Sequence, residues 1–102
     1  MKTVDEIRLQ LERGEFEFSR HAFKRAVERN ISDQEIREAG RKANVIENYP
    51  EDKYSPSCLL LGFTTGRRPL HIQVSLRAVA LVKIITLYEP DERDWINYEK
   101  RK

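Results

Sequence analysis

The chain has 102 residues, 35% of them charged, with 19 Lys+Arg against 17 Asp+Glu and a net charge of only +2. That length suits one domain, since domains cluster near about 100–150 residues, and 39% hydrophobic residues are enough for one core and too many for a disordered tail. No apolar run approaches the roughly 18–20 residues needed to cross a bilayer, and a lone Cys58 can form neither an internal disulfide nor a thiolate zinc site. The expectation is a soluble cytoplasmic domain spanning residues 1–102.

Thr3 and Glu6 have the spacing of a capping box, and Val4, Ile7 and Leu11 then recur on one stripe, which predicts a helix over residues 4–13 stopped by Gly14. Phe16 and Phe18 alternate with Glu15 and Glu17, as a short extended stretch or an apolar loop clamp would. Ser19 can cap a second helix reaching Asn30, with Ala22, Phe23, Ala26 and Val27 as its apolar arc. Ser32 and Glu35 form a second capping box, closed by the hydrophobic staple of Ile31 and Ile36, and a third helix follows over residues 33–43.

Beyond Lys42 the period changes. Residues 45–49 read as a strand stopped by Pro50, residues 51–57 as a polar loop, and residues 58–65, 70–77 and 80–88 as three further strands rich in aliphatic and β-branched side chains. Thr65-Gly66-Arg67-Arg68 supplies a hairpin turn, and the short links predict an antiparallel meander. Glu89-Pro90-Asp91 breaks the last strand, and residues 91–98 are expected as a helical turn before the basic tail Lys100-Arg101-Lys102. The fold class is therefore α+β: N-terminal helices on one face of a four-stranded, mainly antiparallel sheet, with a short C-terminal helical segment and the other sheet face left open.

The small net charge conceals a sorting. Arg20, Lys24, Arg25 and Arg29 accompany one acid, Glu28, in residues 20–29, whereas Arg67, Arg68, Arg77 and Lys83 occupy residues 64–86 with no acid at all. Were these two segments to meet, they would form a phosphate-binding surface; on separate solvated faces they would not. In residues 70–77 strict alternation turns Leu70, Ile72, Val74 and Leu76 to the core and leaves His71, Gln73, Ser75 and Arg77 on the opposite face. That row suits a phosphodiester, and it also suits the ordinary polar face of a sheet. His21, one helical turn before Arg25, is a second acid–base candidate, because an imidazole titrates near neutrality. Metal-independent RNA cleavage needs a base for the 2′-hydroxyl, an acid for the leaving oxygen and cations for the phosphorane. His71, Tyr88 and His21 could supply the first two, and Arg25, Arg29, Arg77, Gln73, Arg67, Arg68 and Lys83 could hold phosphate. Two His 50 positions apart suggest no metal, and no cofactor motif is present.

Phe18-Ser19-Arg20-His21-Ala22, Arg25, Arg29, Ile31-Ser32, the stretch from Val45 to Tyr49, Pro69-Leu70-His71, the stretch from Ile85 to Pro90, and Trp95 occur in an order that resembles the bacterial domain of unknown function number 4258. Proteins of that kind are similar to BrnT and the wider RelE/ParE-like toxins. The resemblance implies a RelE-like fold and the toxin of a type II toxin–antitoxin system, an mRNA-cleaving endoribonuclease neutralised by a protein antitoxin such as a YgiT-type zinc-finger protein. His21, Arg25, Arg29, His71 and Tyr88 are the positions it marks. The alternatives are a non-catalytic protein- or nucleic-acid-binding module of the same fold, and a small metabolite enzyme with a pocket around His21 and His71.

Overall fold

A computed structural model describes residues 1–102 and divides the chain into three helices, a five-stranded sheet and a small C-terminal hairpin. Both capping boxes form: the Thr3 hydroxyl accepts the Glu6 N–H at 3.2 Å ahead of α1 (Val4–Glu12), and Ser32 accepts the Glu35 N–H at 3.1 Å ahead of α3 (Asp33–Gly40). Ser19 caps α2 (Arg20–Glu28) by accepting the Ala22 N–H. These caps satisfy N–H groups that a helix start leaves without partners, so each start is set locally.

β2 (Asn44–Tyr49), β3 (Ser57–Phe63), β4 (Pro69–Ser75) and β5 (Val82–Tyr88) pair as the expected antiparallel meander. The sheet nevertheless has five strands and is mixed, in the order β1-β5-β4-β3-β2. The additional strand is β1 (Phe16–Phe18), which pairs in parallel with β5 in the register Phe16↔Val82 and Phe18↔Ile84. The Phe/Glu alternation is thus a strand rather than a clamp. Its partner lies more than sixty residues away, which no local pattern discloses.

One sheet face carries the core. Leu60, Leu70, Ile72, Val74, Val82, Ile84 and Leu87 pack there with Ile7, Leu11 and Ile36 from the helices. Ala22 and Ala26 bring α2 close to the sheet, while Phe23 and Val27, expected in the same arc, are 59% and 66% exposed. Small side chains win the buried face because they permit the closer helix–sheet approach. At Gly62 on β3, a Cβ would lie 2.0 Å from the Ala39 carbonyl oxygen, so glycine is required where α3 crosses the strand.

The C-terminal segment is not helical. β6 (Trp95–Ile96) and β7 (Lys100–Arg101) form a hairpin whose central residues, Asn97 and Tyr98, have φ of 53° and 63°. Two successive left-handed residues are the geometry of a type I′ hairpin turn, here built without the usual glycine. This hairpin covers part of the sheet face expected to be open. No helix is long and apolar enough to cross a membrane.

Candidate functional site

The antiparallel register of β4 and β5 sets His71 directly opposite Tyr88, so their side chains leave the sheet on the same face, away from the helices. The imidazole Nδ1 lies 3.1 Å from the Tyr88 hydroxyl, and Nε2 lies 2.6 Å from the Tyr98 carbonyl oxygen. A carbonyl only accepts, so Nε2 carries the proton, and neutral His71 then accepts the Tyr88 O–H at Nδ1. Trp95 stands perpendicular to the imidazole, with ring centroids 4.5 Å apart, and His71 is fully buried. That burial lowers the His71 pKa, outweighing the Tyr98 carbonyl that favours its protonation. Burial likewise raises the pKa of half-buried Tyr88. At neutral pH the pair is an uncharged phenol bonded to an uncharged imidazole.

Cations border this pair. Arg29, at the end of α2, donates to the Leu87 carbonyl at 2.8 Å and places its guanidinium 5.9 Å from the centre of the Tyr88 ring. Arg68 reaches the same hollow, yet its donors are occupied: Nε bonds Glu89 at 2.7 Å, Nη1 bonds Glu35, and Nη2 bonds the Arg29 carbonyl. On the other side of Tyr88 a hollow of about 460 Å³ is lined by Arg93, Asp94, Trp95, Arg101 and Lys102. Arg101 stacks 4.6 Å from the Trp95 ring centre and makes a two-pronged bond to Glu47, at 2.8 and 3.2 Å. This bond raises the Arg101 pKa and holds the Glu47 carboxyl below its usual range. Tyr49 also donates to Glu47, and burial followed by that carboxylate pushes the Tyr49 pKa up to about 12.

The other sequence candidates are scattered. His21 is exposed on α2, which packs on the helix-covered face of the sheet, so the two histidines lie on opposite faces and share no pocket. Arg25 pairs with Glu28 at 2.8 Å, and its buried Nε has no partner. Lys83 pairs with Glu17 at 3.5 Å, at the start of β5 and roughly 16 Å along the strand from Tyr88. Arg77 is exposed beyond the end of β4, about 20 Å of extended chain from His71, and Arg67 is exposed in the β3–β4 turn with φ of 69°. Gln73 shares the face of His71, but its amide donates to Asp52 at 3.1 Å and Ser57 at 3.0 Å. The two basic segments do pack together, α2 against β5, but of their cations only Arg29 and Arg68 are joined, by the Arg68 Nη2 bond to the Arg29 carbonyl. Sequence reading did not single out Arg101 or Glu47, and it named Trp95 without placing it over His71; the basic tail was visible, but its folding back over the sheet was not. No group of three or more His, Cys, Asp or Glu is placed to hold a metal ion.

Among known families, the model described as a domain of unknown function (DUF4258) matches residues 18–89, well over half of the chain. No curated protein and no solved structure matches it.

Proposed function

The chain belongs to the DUF4258 family, and we propose that it is the toxin of a type II toxin–antitoxin system, a RelE-like endoribonuclease that works without metal at Tyr88. The observation that carries this reading is the 3.1 Å bond from the half-buried Tyr88 hydroxyl to a fully buried, neutral His71, bordered by Arg29, Arg101 and Lys102. Tyr88 is the catalytic residue because it lines both adjoining hollows. His71 is a positioning residue, since it is out of reach of any substrate.

In the proposed step the Tyr88 oxygen takes the proton of the RNA 2′-hydroxyl as its own proton passes to Nδ1 of His71. The 2′-oxygen attacks the adjacent phosphorus, and the P–O5′ bond breaks to leave a 2′,3′-cyclic phosphate. The imidazolium formed has both N–H groups bonded, one to Tyr88 and one to the Tyr98 carbonyl, and it returns the proton to the departing 5′-oxygen through Tyr88. Arg29, Lys102 just past β7 and Arg101, held in place by Glu47, offset charge building on the phosphorane, a role for which positive groups held in place are effective. A cognate antitoxin, of which a YgiT-type zinc-finger protein is one form, would neutralise the toxin in the cell.

Induced expression is expected to arrest growth and degrade RNA, and Tyr88→Phe, which keeps the ring but loses the proton, is expected to relieve both. Harmless overexpression of the folded wild-type chain would overturn the proposal, as would a Tyr88→Phe chain as toxic as the wild type. The non-catalytic module would bind its partner and leave RNA intact.

A further inference from the structure

α2 turns the wrong side chains outward for a helix that ends at its own core. Arg20, Phe23, Lys24 and Val27 follow the i, i+3, i+4, i+7 spacing that places residues on one helical stripe, and helices ordinarily bury such a stripe where it is apolar. Here all four are exposed, because Ala22 and Ala26 occupy the buried side. Phe23 and Val27 leave 59% and 66% of their surface to solvent. The strip continues onto the sheet edge, where the Phe18 ring meets Phe23 edge-on at 5.9 Å. Arg20 and Lys24 flank it, and neither takes part in any of the eight salt bridges in the molecule. The one acid of α2, Glu28, is already held by Arg25.

We propose that this strip, Arg20–Phe23–Lys24–Val27 with Phe18 beside it, docks an acidic amphipathic helix of a second protein. An apolar centre with a charged rim is the anatomy of a protein interface, whereas a phosphate site wants its cations at the centre. The strip is about 10 Å long, two turns of helix, which suits a short helix laid across it with carboxylates over Arg20 and Lys24. A second copy of this chain fits worse. Two α2 strips face to face would oppose like charges, and α2 against the acidic α1 of another copy is a head-to-tail contact, which builds rings or open filaments rather than the two-fold dimer that is commonest. The proposal does not depend on RNA cleavage, since none of these residues lines the hollows beside Tyr88.

The test titrates the full-length protein with two fluorescent amphipathic peptides of about 20 residues, past the length of about 12–15 residues below which an isolated helix is marginal. Both carry Leu at the i, i+3, i+4, i+7 positions; one has Glu and the other Lys on the flanks. The Glu peptide should bind at least about tenfold tighter than the Lys peptide. Phe23→Glu should abolish that binding, and the pair Arg20→Glu with Lys24→Glu should reverse the preference. All these sites are exposed, and circular dichroism confirms folding of each variant. Equal affinity for the two peptides, or binding unaffected by Phe23→Glu, overturns the proposal. It is also overturned if sedimentation shows wild-type self-association that Phe23→Glu removes, or if Phe23→Glu weakens single-stranded RNA binding and leaves peptide binding intact.

Discussion

His71 shows how much a residue's chemistry depends on what covers it. Its place on the polar face follows from β4 alternation, but its neutral state follows from Trp95 and Tyr98, which arrive from the C-terminal hairpin. Burial holds its folded pKa below the ordinary 6.5. The unfolded chain therefore binds the extra proton first on acidification, so stability is greatest above pH 6.5 and declines as pH falls towards the lowered folded value. The lowered carboxylates Glu35 and Glu47 start from 4.5, and their contribution is lost only at more acidic pH. Thermal unfolding should show Tm falling as the pH is lowered through 6.5, and His71→Gln should flatten that slope. An unchanged slope in the variant would place the titration elsewhere. In the proposed reaction Tyr88 would depend on the same pairing, since proton transfer by a positioned side chain contributes about 100- to 10,000-fold.

At the scale of elements, the helices were legible because their signals are local: two capping boxes and a staple sit within a few residues of each start. The four longer strands were legible from composition and alternation. The pairing of β1, whose extended backbone the Phe/Glu alternation had offered as one reading, and the β6–β7 hairpin were not. β1 consists of three residues whose pairing depends on β5, and the Asn97-Tyr98 turn lacks the glycine that advertises a hairpin. A left-handed Tyr98 is unfavourable for a bulky side chain, and here it directs the carbonyl that His71 binds. Trp95→Ala, which uncovers His71, should cost about 3–5 kcal/mol in urea unfolding and bring the His71 resonance back towards its ordinary titration. Gly62→Ala tests the α3–β3 crossing: a new Cβ 2.0 Å from a backbone oxygen forces the helix away, and a loss of at least about 2 kcal/mol is expected. A neutral Gly62→Ala would show that α3 does not sit as described.

For the whole molecule, the near balance of 19 cations and 17 acids hides a distribution that only the fold resolves. Most of the cations singled out in the sequence are held by acids, as Arg68 is beside Tyr88, or lie far from it, and the others that border it come from the end of α2 and from the C-terminal tail. RNA should therefore bind through few charges. With Arg29, Arg101 and Lys102 engaged, the slope of log affinity against log salt should be about −2 for a single strand, and Arg101→Gln should make it shallower. A much steeper slope would mean that the wider basic segments bind RNA after all. The central claim is proton transfer by Tyr88, and the most direct measurement is the cleavage rate of a short RNA by purified protein with metals chelated. Wild type should yield 2′,3′-cyclic phosphate ends, and Tyr88→Phe should be slower by about 100-fold or more; intact RNA with the wild type, or equal rates for the two proteins, would contradict it.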